Sequence, residues 1–195
     1  MGDPDQSLAG RASSGDCEAL TALYHRHKGT LLGFLTRTLR DRTQAEDVFQ
    51  EAWMKVITGI RRFDNSRGTF KAWLFRVGAN AAVDRIRRES LRRGPELDRP
   101  MANGEGGETR RIDLVPSPEP GPDREGDSTF LGQAMDQALL KLPPFQRAAI
   151  LLRHQQGMNM EEIAGSLGVP QGTVKSMLHR GTRTLRRSLA SWKSS

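Results

Sequence analysis

The sequence predicts an all-α protein of two small helical domains joined by a flexible linker, the C-terminal domain containing a helix-turn-helix. Three observations predict it. Apolar residues recur every three or four positions through most of residues 16–90 and 129–190, the period of helices that bury one face. Between 91 and 128 that pattern stops, and six of the ten prolines and six glycines fall there, which is the composition of a linker. Finally, Met160 to Leu185, MEEIAGSLGVPQGTVKSMLHRGTRTL, sets a short amphipathic helix, a glycine turn and a longer helix with one basic face in succession.

Composition bounds the function. At 195 residues and 36% hydrophobic content the chain is lean, yet sufficient for two small helical cores. A formal net charge of +7 and a sequence pI of about 10.3 suit a polyanionic partner. Residues 1–90 hold 15 basic and 11 acidic groups, residues 91–128 hold 6 and 9, and residues 129–195 hold 9 and 3. Two basic units therefore flank an acidic connector, which is either an ordinary solvated linker or a functional acidic strand. No apolar run approaches the roughly 20 residues of a membrane span; Ala148–Leu152 is among the longest. The opening MGDPDQSLAG is polar and acidic, and Gln6 stands where a myristoylation pattern requires Ser or Thr. A cytoplasmic protein without membrane insertion is expected.

Cys17 is the only cysteine, so no intrachain disulfide or Cys-rich zinc site can form, and it reads as a small core residue. His25 and His27 lie about 200° apart on a helix, with no Cys, Asp or Glu at ligand spacing. No P-loop, nucleophile elbow or dinucleotide fingerprint is present. No catalysis, metal or cofactor is expected.

In chain order, residues 1–15 read as an N-terminal tail. Leu20, Leu23 and Tyr24 mark a first helix, and Leu31, Leu32, Leu35 and Leu39 a second. A third opens at Thr43-Gln44-Ala45-Glu46, which has capping-box spacing, and carries the stripe Ala45, Val48, Phe49, Ala52, Trp53, Val56, Ile57 and Ile60. Its opposite face shows Asp47, Gln50, Glu51 and Met54. An exposed thioether among acidic groups on a basic protein suggests a docking surface. A loop over Arg61–Thr69 leads to a fourth helix, about Phe70 to Arg88, where Phe63, Phe70, Trp73 and Phe75 are interleaved with Arg61, Arg62, Arg67, Lys71, Arg76, Arg85, Arg87 and Arg88. Aromatic faces stack bases and guanidinium groups hold phosphates, so this mixture suits a single-stranded nucleic acid. Trp73 reads as core with Leu74 and Val77. Arg76, Asn80 and Asp84 share one face; Asn80 can donate and accept toward a base edge, and Asp84 can pair with Arg88.

Leu131, Ala134, Met135, Ala138, Leu139 and Leu142 start the C-terminal domain, Pro143-Pro144 breaks that helix, and Phe145, Ile150, Leu151 and Leu152 form the next. Ile163, Ala164 and Leu167 follow, with small Ala164 allowing a close crossing and Gly168 supplying the turn. On the last helix Val174, Met177, Leu178, Gly181 and Leu185 fall on one arc; Lys175, Ser176, His179, Arg180 and Arg183 fall on the other.

Three blocks resemble the extracytoplasmic-function sigma factors of bacterial RNA polymerase, in the family's order. DRTQAEDVFQEAW is similar to the polymerase-binding helix, FKAWLFRVGANAAVDRIRRE to the minus-ten-element helix, and LPPFQRAAILL with MEEIAGSLGVPQGTVKSMLHR to the minus-thirty-five-reading domain. With their flanks they cover about residues 16–90 and 130–188. The resemblance implies core RNA polymerase, promoter DNA and an anti-sigma factor as partners. Asp47, Gln50, Glu51 and Met54 would grip the polymerase. Phe63, Arg67, Phe70, Arg76 and Asn80 would hold the melted minus-ten strand with one base extruded. Thr173, Lys175, Ser176, His179, Arg180 and Arg183 would face the minus-thirty-five major groove, with Arg183 on a phosphate. The chain departs from the family at Met160, where an aromatic residue is frequent, at Met177, where a basic one is common, and at Gly181, where Ala is usual. Gly181 is expected to weaken its helix by about 0.5 to 1 kcal/mol relative to Ala. The linker is long for the group. Two rival readings are a stand-alone helix-turn-helix regulator, which leaves the third and fourth helices unexplained, and a sigma-like decoy that sequesters an anti-sigma factor, which has no need of Lys175, Arg180 and Arg183.

Overall fold

The computed structural model describes residues 3–93 and 130–192, and all regular structure among them is helical. The N-terminal unit consists of α1 (Pro4–Ser13), α2 (Cys17–Leu39), α3 (Arg42–Gly59) and α4 (Phe70–Arg93), with 3-10 turns at Ile60–Arg62 and Asn65–Arg67 between the last two. The C-terminal unit consists of α5 (Phe130–Leu140), α6 (Pro144–His154), α7 (Met160–Leu167) and α8 (Gln171–Trp192). The expected linker lies outside the described residues, except that its first three positions prolong α4.

Several elements differ from the sequence expectation. Within the expected tail, Asp3 caps the amide of Asp5, Pro4 occupies the first turn, and α1 buries Ala9 and Ala12. A helix that docks through alanines leaves little hydrophobic signal. The two helices expected between Leu20 and Leu39 are the single 23-residue α2. Gly29 does not interrupt it, since that position faces open space. Asp16 caps α2 through the amides of Glu18 and Ala19, both at 3.0 Å. The Ala19 amide, and then the Arg11 guanidinium, hold its carboxyl below the usual carboxylate range. At the other end Arg40 adopts a left-handed φ of 63° and returns its amide to the Thr36 carbonyl at 2.9 Å. Cys17 is exposed at the start of α2 rather than buried in the core. The cap of α3 is Asp41, two residues before the expected Thr43: its side chain accepts from the Gln44 amide and from Gln44 Nε2, both at 3.0 Å. Glu46 pairs instead with Arg42.

Both cores are built by the expected stripes. In the N-terminal unit Phe34 meets Phe75 edge-on at 5.6 Å, and Gly78 lets α4 approach α2 so closely that a Cβ there would lie 2.8 Å from Leu31 Cδ1. In the C-terminal unit Leu151, Leu152, Ile163, Leu167 and Val174 are fully buried. Pro143 and Pro144 start α6. Asn159 and Glu162 form a reciprocal capping box on α7, and Gly168 ends it with a φ of 62°. Gly181, expected only to weaken α8, is where α8 crosses α6: a Cβ would stand 3.0 Å from Ile150 Cγ1.

The two units touch. Arg37 pairs with Asp136 at 3.1 Å, Arg40 Nη1 donates to the Leu140 carbonyl at 3.2 Å, and the Arg87 guanidinium lies 5.8 Å above the Phe145 ring. Arg147 of α6 is buried, and its Nε and Nη1 have no hydrogen-bond partner among the described residues. Burial, and secondarily the positive charge of Arg40, lower its pKa to about 10, so it remains a cation at neutral pH.

Candidate functional site

Three surfaces carry the candidate residues. On α3, burial of Ala45, Val48, Ala52, Trp53 and Val56 forces the opposite face outward. Asp47, Gln50 and Met54 are exposed; Glu51 is partly exposed and accepts from Lys55 Nζ at 2.9 Å. Ile57, expected in the buried stripe, is 47% exposed, and Met54 is 60% exposed. Three residues apart on a helix, they form one apolar patch beside the carboxylates. Sequence reasoning missed Ile57 because it stands at the edge of the stripe, where periodicity alone does not decide which way a side chain turns.

The second surface is the loop and the start of α4. Thr69 Oγ1 accepts from the Ala72 amide at 3.1 Å and caps the helix. Phe63 is half-buried, 5.2 Å from Trp73 and 5.9 Å from Phe70 between ring centroids. Phe70 itself is fully buried, which corrects its assignment as a direct strand contact: it is the floor on which Phe63 and Trp73 rest. Trp73, expected in the core, is only half-buried. Sequence spacing could not separate these two aromatics, since Phe70 and Trp73 lie on the same side of the helix. Arg67 belongs to the second 3-10 turn, and its side chain lies outside the described residues. Arg76 and Asn80 are exposed. Asp84 is exposed too, and Arg88 Nε donates to its backbone carbonyl at 3.2 Å rather than to its carboxylate. Asn80 opens into a cleft walled by Lys55, Asp84 and Arg87 on one side and by Leu167 and Gly168 of the helix-turn-helix on the other.

The third surface is α8. Val174 and Gly181 are buried and Met177, Leu178 and Leu185 half-buried, so the arc of Lys175, Ser176, His179, Arg180 and Arg183 is exposed as a unit, with Thr173 half-exposed at its start. Ser176 Oγ bonds the Gly172 carbonyl within the helix. One helix thus presents Lys175, His179, Arg180 and Arg183 along just over two turns, about 12 Å, a span that fits a DNA major groove.

An exposed, partly acidic and partly apolar face on α3 together with a helix-turn-helix fits a promoter-reading subunit of a transcription complex. The comparisons agree. The Sigma-70 region 2 family matches residues 23–92, and the Sigma-70 region 4 family matches residues 132–185. The chain is 31% identical to ECF RNA polymerase sigma factor SigE of Mycolicibacterium smegmatis over 194 residues, covering 96% of this chain and 70% of that protein. It is likewise 31% identical to SigW of Bacillus subtilis over 181 residues, covering 92% and 93%. Among solved structures it is similar to CnrH in complex with the cytosolic domain of CnrY, at 26% identity and a TM-score of 0.59, covering 97% of this chain and 99% of that one. It also shares the fold of the sigma factor RpoE, solved with the anti-sigma factor NepR from Bartonella quintana, at 24% identity and a TM-score of 0.63 over 87% and 96% of the two chains. The chain belongs to the extracytoplasmic-function (ECF) RNA polymerase sigma factors of the sigma-70 family. None of its described helices is long and apolar enough to cross a membrane.

Proposed function

We propose that this sigma factor divides its work among the three surfaces; the exposed Met54–Ile57 patch, beside Glu51 on a basic protein, carries the polymerase-docking part of that reading. The face of Asp47, Gln50, Glu51, Met54 and Ile57 docks on core RNA polymerase. Apolar burial supplies affinity there, and the carboxylates supply orientation. Phe63, Arg67, Arg76 and Asn80 take the melted minus-ten strand, with the Phe63–Trp73 surface offering a stacking partner to an extruded base. Extrusion costs a few kcal/mol, which stacking and phosphate contacts offset. Thr173, Lys175, Ser176, His179 and Arg180 meet the minus-thirty-five duplex while Arg183 holds a phosphate. The polymerase performs the bond-making step, and the chain contributes binding and strand separation in the cytoplasm. An anti-sigma factor holds it inactive by lying between the two units. The family resemblance supports this control, as does the likeness to CnrH, which was solved with the cytosolic domain of another protein.

The test mixes the purified chain with core RNA polymerase and a set of candidate promoters. Specific initiation is expected. Duplex binding without polymerase dependence would favour a stand-alone regulator, and no initiation at any promoter would favour a decoy.

A further inference from the structure

Helix α1, absent from the sequence expectation, is fastened to the loop between α3 and α4. Gln6 of α1 is attached to that loop at three points. Its side-chain Nε2 donates to the Gly68 carbonyl at 3.4 Å, its Oε1 accepts from the Phe70 amide at 3.3 Å, and its own carbonyl accepts from Asn65 Nδ2 at 3.2 Å. The Phe70 amide is one of the first-turn donors of α4 that no intrahelical acceptor can satisfy, so Gln6 caps α4 from a helix 64 residues away in sequence. Gly68 has a φ of 140°, a region open essentially to glycine, and a glycine so placed needs outside contacts to fix its peptide. The preceding residue, Asp5, pairs with Arg26 and lies 2.8 Å from His27 Nε2. The His27 ring packs 5.6 Å from Phe70, which in turn meets Phe63 and Trp73, each at 5.9 Å. Adjacent residues of α1 thus hold the backbone of the loop and the floor of its aromatic surface.

We propose that α1 is a brace for the minus-ten loop and that Gln6 is a positioning residue for recognition of the melted strand. This rests on the minus-ten reading of the loop and α4 given above. A surface that accepts an extruded base binds it best when its backbone is ordered beforehand, because ordering the loop on binding subtracts from affinity. The hydrogen bonds of Gln6 among the described residues all go to the loop and the start of α4, so its effect is expected on that one of the three surfaces.

The experiment uses holoenzyme assembled from core polymerase and the full chain, with a single-stranded minus-ten oligonucleotide carrying 2-aminopurine at successive positions, from a promoter recovered in the initiation assay. Gln6→Met, equal in length but without either side-chain hydrogen bond, should bind the oligonucleotide about tenfold more weakly and lose the fluorescence change at the extruded base. Gln6→Glu, which keeps the acceptor for the Phe70 amide, should recover part of the loss. Affinity for core polymerase and for minus-thirty-five duplex should stay within about twofold of wild type. If Gln6→Met matches wild type while Asn80→Ala weakens strand binding, the brace is wrong and the minus-ten reading stands. If neither substitution has an effect, both fall. Equal losses on all three ligands would show a general folding defect and overturn the positioning role.

Discussion

The two units solve one problem, presenting cations to DNA, in opposite ways. In the C-terminal unit a single helix carries the whole candidate interface, and its back packs on the core through buried Val174 and Gly181 and half-buried Met177, Leu178 and Leu185. The reading residues of α8 share one continuous helix, positioned by its packing on α5, α6 and α7. In the N-terminal unit the candidate strand site combines a loop, two 3-10 turns and the exposed face of α4, and it depends on Asp5, Gln6 and His27 from elsewhere. Duplex DNA presents a regular groove that a rigid rod can enter. A melted strand has no regular shape, so its receptor must be assembled, and assembled sites need supports that touch no DNA.

The sharpest way to break this comparison is to show that the units are not separable. Charge reversal of both Asp47 and Glu51 to Lys should abolish association with core polymerase, measured by anisotropy or co-elution, while helical content and minus-thirty-five duplex binding persist. Unchanged polymerase affinity would remove α3 from the docking surface.

Next in size are the two arginines of α8. Arg180→Ala should cost about 1 to 3 kcal/mol and relax preference at one minus-thirty-five position, as loss of a base contact does. Arg183→Ala should weaken all promoters alike and lower the salt slope by about one unit. A promoter library scored at two salt concentrations distinguishes the two signatures; a uniform loss from Arg180→Ala would reassign it to the phosphate backbone.

Asn80→Ala should act on the other unit and at a later step. Closed-complex formation should be little changed while strand opening falls, which a permanganate footprint of the bubble reads directly. A wild-type footprint would take Asn80 out of the unpaired-strand site.

The smallest expected effect is a pH dependence confined to the N-terminal unit. Burial lowers the pKa of His27 and outweighs the opposing attraction of Asp5; the positive charges of Arg26 and Lys71 act in the same direction as burial. The unfolded chain then binds more protons than the folded one below the ordinary histidine value of 6.5, so stability rises with pH through that window and is lost on acidification. Thermal melts between pH 5 and 7 should show the N-terminal transition moving down with acid and the C-terminal transition not following it. His27→Gln should flatten the slope.

Much of this architecture is legible in the sequence because it depends on helical period. The α8 arc, the Gly168 turn and the outward face of α3 all follow from residues within a turn or two of one another. What periodicity could not supply is the choice between neighbouring caps and the contacts between distant segments. Asp41 and Thr43 are both good helix starters, and only the Asp41–Gln44 hydrogen bonds decide between them. Phe70 and Trp73 share a helical side, and their burial depends on what α2 and α1 place over them. Gly181 reads as a weak helix residue until Ile150 is seen against it. Helix α1 is the extreme case: its anchoring is tertiary, from Ala9, Ala12 and half-buried Leu8 and the polar reach of Asp5 and Gln6.

The cleft at Asn80 has a thermodynamic consequence for the free chain. Its far wall is the turn at Leu167 and Gly168, so a nucleic-acid strand entering there competes with the chain's own C-terminal unit, and measured affinity is the intrinsic affinity scaled by the fraction of molecules in which the units have parted. The polar contacts across the seam include the solvent-exposed Arg37–Asp136 pair, of a kind that salt screens. Rising ionic strength then acts in two directions at once: it weakens phosphate contacts and it enlarges the parted fraction. The salt slope of strand binding should accordingly be shallower for the wild-type chain than for a variant whose seam is already weakened, such as Asp136→Ala.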